Sequence, residues 1–184
     1  MILLFRIVII LLIFFTAPVS GAKNGEWVYP VIKEIGPVKR LPNVSFQPDA
    51  QLRYRVLFDV AKDALRNDEE AINPGLEKVV RYINTLAVGG IPPEKMNIAL
   101  IVHDKALPLV LKNEFYNKRF ASDNPNLPVI EKLRQAGVAL YVCGLNLEDW
   151  NYDREWVVGD FNIALSYLVI VTTLQLHGYA YIPS

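Results

Sequence analysis

Cys143 is the single cysteine of the 184-residue chain. It ends the apolar run of residues 138–143 and directly precedes Gly144. Ligands and reactive groups gather at the carboxyl ends of the strands in α/β proteins, so this position favours a functional thiol. The alternative is a packing role, because free cysteine often behaves as a small buried hydrophobic residue. A functional thiol needs both a lowered pKa and exposure.

Candidate activators lie at the ends of two other apolar runs. Asp59 comes near the end of residues 54–60, while His103 ends residues 97–103 and is followed closely by Lys105. A nearby histidine or lysine favours the thiolate, which is the nucleophilic form of cysteine. If the strands are parallel, these side chains share one rim with the thiol. The alternative for His103 is a structural imidazole bonded to the backbone.

Further candidates for substrate binding are Asp59 and Lys105 at the rim, Gly144 and Tyr152. Gly144 allows close approach of a ligand, although glycine after a strand is also ordinary turn chemistry. Tyr152, or Arg154 beside it, is a candidate pocket wall over the thiol; the alternative is a surface turn with a local ion pair.

Asp104 is predicted to be the N-cap of the helix that follows His103. Metal and phosphate motifs are not found in the sequence. Cys143, His103 and His177 provide no closely spaced ligand pair. The turn at residues 59–63 has no glycine to bring backbone amides around a phosphate. No cofactor is therefore predicted.

Residues 1–22 have the pattern of a secretory signal. Arg6 precedes the apolar residues 7–15, and the small residues Ser20 and Ala22 suit a signal-peptidase site. The alternative is an uncleaved N-terminal anchor, in which residues 2–5 extend the apolar stretch. The predicted location is periplasmic or secreted. In an oxidising compartment, a lone cysteine indicates burial, an intermolecular bond or chemistry.

The charge balance weighs against two classes of partner. Without residues 1–22 the chain has 18 basic and 19 acidic side chains, a formal net charge of −1. Nucleic acids and anionic membranes bind proteins largely through positive charge. Neither is therefore a predicted partner once the signal is cleaved, and the remaining length fits one domain.

The order of elements predicts a single three-layer α/β domain over residues 53–184, after a proline-rich extended arm at residues 23–52. Four or five mostly parallel strands with helices on both faces are the simplest arrangement. The predicted strands are residues 54–60, 97–103, 138–143, 162–165 and 180–182. The predicted helices are residues 74–88, about 106–113, 127–136 with Asn126 as a cap, and a buried helix at 167–176 that is also a candidate oligomer interface.

Several short stretches together resemble one known family. The matching stretches are residues 56–59, 73–77, 102–103, 124–127, 136–138, 141–144, 152–153, 164–166 and 178–183. By their order and spacing, the chain from about residue 53 to 183 resembles the DsrE/DsrF-like sulfur-relay proteins, and more closely their exported branch. Such a resemblance implies a flavodoxin-like outline, assembly into trimers or hexamers, and a persulfide on Cys143. His103 matches a histidine frequent in that branch.

The leading hypothesis is an exported sulfur carrier or sulfurtransferase-like protein that takes sulfane sulfur from a donor and passes it to an acceptor thiol. One alternative is a non-enzymatic oligomeric module that binds a small ligand, in which Cys143 is packing. The other is a thiol redox sensor, whose disulfide would have to be intermolecular because the chain has no second cysteine.

Overall fold

The computed structural model describes residues 25–62, 72–159 and 161–183. The predicted signal at residues 1–22 lies outside the described residues. Within the described ranges, no helix is both long enough and apolar enough to cross a bilayer.

Seven strands are present in the described ranges, and five of them form one sheet. The strands are β1 (Trp27–Val28), β2 (Val38–Lys39), β3 (Tyr54–Val60), β4 (Met96–Val102), β5 (Ala139–Cys143), β6 (Asn162–Ala164) and β7 (Ala180–Ile182). The sheet has the order β6-β5-β4-β3-β7 and is parallel throughout, whereas β1 and β2 form a separate antiparallel pair. The predicted parallel sheet is confirmed.

Within the same ranges, five α-helices accompany the strands. They are α1 (Pro74–Val88), α2 (Asn113–Phe120), α3 (Leu127–Gln135), α4 (Gly144–Asp149) and α5 (Tyr167–Leu176). One face of the sheet buries residues such as Phe58 and Leu100 against α1 and α3. The opposite face buries Leu57 and Ile101 against α5. Because side chains alternate along a strand, neighbouring residues serve the two separate cores. The three-layer α/β fold is thus confirmed.

Two predicted helices differ from the structure in their details. The helix expected at about residues 106–113 is instead a short 3-10 segment, Asp104–Val110, followed by α2. Pro108 lies inside that segment, where it lacks the N–H that an α-helix requires. The side chain of Asn126 does not cap α3. It is fully buried and accepts a hydrogen bond from the Asn73 backbone at 2.8 Å, so it joins the starts of α1 and α3.

The arm at residues 25–52 packs against α1 and is only partly extended. Asn84, fully buried on α1, accepts hydrogen bonds from the backbone N–H groups of Val31 at 3.1 Å and Ile32 at 3.0 Å. Its amide donates to the carbonyls of Ile32 and Gly36, each at 3.0 Å. One side chain therefore satisfies four backbone groups of the arm.

Helix α5 has the predicted bounds, but the prediction that it is buried is wrong for the single chain. Only Ile170 and Val171 are buried, whereas Leu168 is 68% and Leu176 is 87% exposed. Among the residues that the structure describes, α5 alone covers this face of the sheet, and no further layer lies over its outer side.

Candidate functional site

The carboxyl ends of β3, β4 and β5 meet at one rim, because Val60 is level with Val102 and Val102 with Val142. At this rim the Nε2 atom of His103 lies 2.7 Å from Oδ1 of Asp59. The predicted grouping of these two side chains is therefore observed.

Tyr181 extends the pair from the edge strand β7. Its hydroxyl donates a hydrogen bond to Oδ2 of Asp59 and lies 3.1 Å from the hydroxyl of Tyr167. Both carboxylate oxygens of Asp59 consequently have a partner. We call Asp59, His103, Tyr167 and Tyr181 the rim tetrad.

Tyr167 connects the rim tetrad to the thiol. Its backbone N–H donates to Sγ of Cys143 at 3.3 Å, and its ring is stacked on His103 with centroids 3.8 Å apart and an 18° angle between planes. Tyr167 is the first residue of α5, and the Ser166 hydroxyl caps that helix by accepting from Val169 at 3.2 Å. The sulfur therefore lies at a helix N-terminus, where negative charge is stabilised.

Electrostatics of the rim tetrad favour an ionised Asp59. Burial alone would raise the pKa of this carboxyl, but hydrogen bonds from His103 and Tyr181 outweigh it and hold the pKa below its ordinary value. For Tyr181, burial and the hydrogen bond to Asp59 both raise the pKa of the phenol. At neutral pH the carboxylate is thus the acceptor and the phenol the donor.

The pKa shifts of Asp59 and Tyr181 make the stability of the fold depend on pH at the acidic and the basic end, respectively. A lowered pKa for Asp59 in the folded state contributes stability above its ordinary pKa of about 4, and this contribution is lost as the pH falls below it. A raised pKa for Tyr181 contributes stability below about pH 10 that is lost at higher pH. Melting temperatures measured against pH are expected to fall less steeply below pH 4 in Asp59→Asn, and less steeply above pH 10 in Tyr181→Phe. Variant profiles parallel to wild type would contradict this.

Cys143 itself is only 3% exposed. The strand β6 pairs with β5 so that Ala164 is level with Cys143, and the N–H of Leu145 donates to the Leu165 carbonyl at 3.2 Å. A Cβ atom on Gly144 would lie 2.8 Å from the Ala164 carbonyl oxygen, which explains why glycine follows the cysteine. The backbone around the thiol is thus packed closely against residues 164 and 165, and the Tyr167 N–H contacts the sulfur itself.

The other predicted residues of the rim have different surroundings. Lys105 is exposed. Asp104 has a positive φ of 50° and does not cap the segment that follows, so its predicted capping role is wrong. Its backbone N–H instead donates to Oδ1 of Asn146 at 3.0 Å, which joins the end of β4 to α4.

Tyr152 belongs to a separate aromatic cluster. Its hydroxyl accepts a hydrogen bond from Arg119 at 2.7 Å, and its ring packs against Trp150 and Trp156. Arg154 pairs at 3.8 Å with Glu148 on the surface, as in the local ion pair considered above. The substrate-binding role of Tyr152 stays a prediction.

Tyr167 and Tyr181 were not identified from the sequence. The available signal was the alternation of side chains along β7. Tyr181 is paired with Leu57 and therefore lies on the same face of the sheet as Asp59. Among the described residues, no group of three or more His, Cys, Asp or Glu side chains is arranged to hold a metal ion.

Comparison with known proteins agrees with this architecture. Among solved structures, the chain is similar to a protein of unknown function from Methanobacterium thermoautotrophicum, with 20% sequence identity over 71% of this chain and 99% of that chain, and a TM-score of 0.51. Curated protein sequences give no significant match. The sequence model of the DsrE/DsrF-like family matches residues 55–183, which is well over half of the chain. On that match, the chain belongs to the DsrE/DsrF-like family.

Proposed function

We propose that the protein is an exported sulfur carrier that holds sulfane sulfur as a persulfide on Cys143 and passes it to an acceptor thiol. Family membership supports a role in sulfur relay. The observation that carries the proposal is the contact of Cys143 Sγ with the N–H of Tyr167, whose ring is stacked on His103. This contact joins the single thiol to a helix N-terminus and to an imidazole–carboxylate pair.

The proposed reaction is a transfer without net oxidation. His103 takes the proton of Cys143, and the thiolate attacks the outer sulfur of a donor persulfide. A new S–S bond forms at Cys143 as the S–S bond of the donor breaks. The electron pair of the broken bond leaves with the donor thiolate, which receives the proton from His103. Transfer to an acceptor repeats these events with Cys143 as the leaving thiolate.

Burial of Cys143 affects how a partner reaches it. At 3% exposure, the sulfur is reached only when the residues around it move. The burial weighs against the redox-sensor alternative, because an intermolecular disulfide requires two thiols that are accessible at the same time.

The carrier proposal is tested by loading the reduced protein with inorganic polysulfide and measuring its intact mass. A gain of one sulfur atom that requires Cys143 supports it. A thiol that stays unmodified and resists alkylation in the folded protein supports the packing alternative and the ligand-binding module. Export is tested separately by determining the N-terminus of the protein recovered from the periplasm or medium, with residue 23 expected first.

We also propose that copies of the chain assemble through the outer side of α5. Residues 161–183 contain no Asp, Glu, Lys or Arg, so this surface can meet its own copy without charge repulsion. Its exposed apolar side chains are Leu165, Leu168, Val169 and Leu176. The hydroxyl of Thr172 donates to the Leu168 carbonyl at 2.8 Å. This hydroxyl therefore keeps a hydrogen-bond partner when a second copy buries it.

Light scattering is expected to give the mass of a trimer or hexamer for wild type. Leu168→Glu is expected to give smaller species, because burying its carboxylate at a subunit contact is costly. The control Leu41→Glu carries the same charge on an exposed leucine of the arm, outside residues 161–183. A monomeric wild type would contradict the assembly.

A further inference from the structure

The rim tetrad connects residues that are more than 100 positions apart in the chain. Of its four members, only His103 takes part in the proposed proton transfer. We propose that Asp59 and Tyr181 are positioning residues that hold His103 in a single tautomer, with the hydrogen on Nε2 and with Nδ1 left as the basic nitrogen. The inference rests on the proposed function for the identity of the reaction, but the tautomer can be tested without it.

The tautomer follows from the donors and acceptors around Asp59. An ionised carboxylate only accepts hydrogen bonds, so the Nε2 atom 2.7 Å from Oδ1 must carry the hydrogen. In neutral imidazole the other nitrogen then has the free lone pair. Nδ1 of His103 is therefore the basic atom of the site.

Tyr181 holds the orientation of the Asp59 carboxylate, which in turn orients the His103 ring. Its hydroxyl bonds to Oδ2, so rotation of the carboxylate away from His103 would break a second hydrogen bond. Tyr181 is itself held by the Tyr167 hydroxyl at 3.1 Å and by the pairing of β7 with β3. The carboxylate thus has one favoured orientation.

Stacking fixes the plane of the imidazole. The Tyr167 ring lies 3.8 Å from the His103 ring and nearly parallel to it, while the N–H of the same Tyr167 bonds to the sulfur. One residue therefore sets both the histidine plane and the sulfur position.

The arrangement stabilises the charge that the reaction creates. When His103 takes the proton of Cys143, it becomes an imidazolium next to the Asp59 carboxylate. Asp59 stays ionised throughout, so the proton remains on His103 until the donor thiolate leaves. Similar use of a buried carboxylate to orient a histidine is known from hydrolase triads.

Nitrogen NMR on histidine-labelled protein tests the tautomer directly. His177→Gln assigns the signals, since the chain has only two histidines. In reduced wild type at a pH where His103 is neutral, Nε2 is expected to have the shift of a protonated nitrogen and Nδ1 that of an unprotonated one. In Tyr181→Phe the two shifts are expected to move toward each other as both tautomers become populated.

Loading kinetics provide the second measurement. Tyr181→Phe is expected to lower the rate of sulfur loading by about 10-fold, and Asp59→Asn by on the order of 100-fold. Tyr82→Phe is the matched control, because it removes the hydroxyl of a partly buried tyrosine that packs on Phe58 outside the rim tetrad. The control is expected to keep the wild-type rate and the wild-type shifts.

Three outcomes separate the two proposals. A wild type with hydrogen on Nδ1 or with averaged shifts overturns the inference, whether or not the variants fold. Tyr181→Phe with the shifts and rate of Tyr82→Phe overturns it as well. A wild type that shows the expected tautomer but takes up no sulfur leaves the positioning correct and overturns the carrier function instead.

Discussion

His103→Gln is expected to slow sulfur loading of Cys143 by about 100-fold or more, which is the usual contribution of a general base. The glutamine amide can still donate a hydrogen bond to Asp59, but it has no basic nitrogen to take the thiol proton. Because the side chain is of similar size and its partner is retained, the rim is expected to keep its shape. The measurement is the initial rate of mass gain with inorganic polysulfide.

His177→Gln provides the matched control for this change. His177 is the other histidine of the chain and lies exposed after α5. Its backbone N–H donates to the Leu174 carbonyl at 3.0 Å, and its carbonyl accepts a hydrogen bond from Arg55 at 3.2 Å. Its replacement is expected to leave the rate unchanged. Equal rates in both variants would show that His103 has no part in proton transfer.

Asn84→Ala is expected to lower the free energy of unfolding by about 3 kcal/mol, since several buried backbone groups lose their partner at once. The arm is expected to detach from α1 in part, so that Ile32, now 3% exposed, becomes accessible to solvent. Water can then solvate the freed backbone groups, which limits the loss. Urea unfolding followed by circular dichroism measures the change.

Asn117→Ala is the control for this loss. Asn117 is exposed, and its amide makes a long hydrogen bond of 3.4 Å to Asp123. The expected change is within about 0.5 kcal/mol, as for most surface substitutions. If Asn84→Ala were no more destabilised than Asn117→Ala, the arm would not depend on the Asn84 hydrogen bonds.

The sheet was well predicted because its strands carry a strong local signal. β3, β4 and β5 are apolar runs between turn residues, the pattern expected when both faces of a strand are covered. The helix α1 was equally clear, since Asn73 caps it and Pro74 starts it. These features depend on residues close together in the sequence.

Features that depend on tertiary contacts were predicted less well. Asn126 has the residue type of a helix cap, but its side chain bonds to Asn73, which is distant in sequence. Likewise α5 is apolar on all sides, and a sequence cannot say which side remains uncovered in a single chain. Asp104 adopts a left-handed backbone conformation, and its N–H donates to Asn146, which is distant in sequence.

The same distinction holds for the candidate site. Asp59, His103 and Cys143 were predicted to share a rim because each ends a strand of a parallel sheet. Tyr167 and Tyr181 come from a later helix and an edge strand, and their partners are known only once β7 is placed beside β3. The Asp59 carboxylate, predicted to bind substrate, has His103 and Tyr181 as hydrogen-bond partners. Its role in substrate binding stays a prediction.

The most direct test of the central claim is the intact mass of the reduced protein after incubation with inorganic polysulfide, compared with Cys143→Ser. The account predicts a gain of one sulfur atom in wild type, removed by reductant or by an added acceptor thiol, and no gain in Cys143→Ser. No gain in wild type, or the same gain in both proteins, would contradict the account.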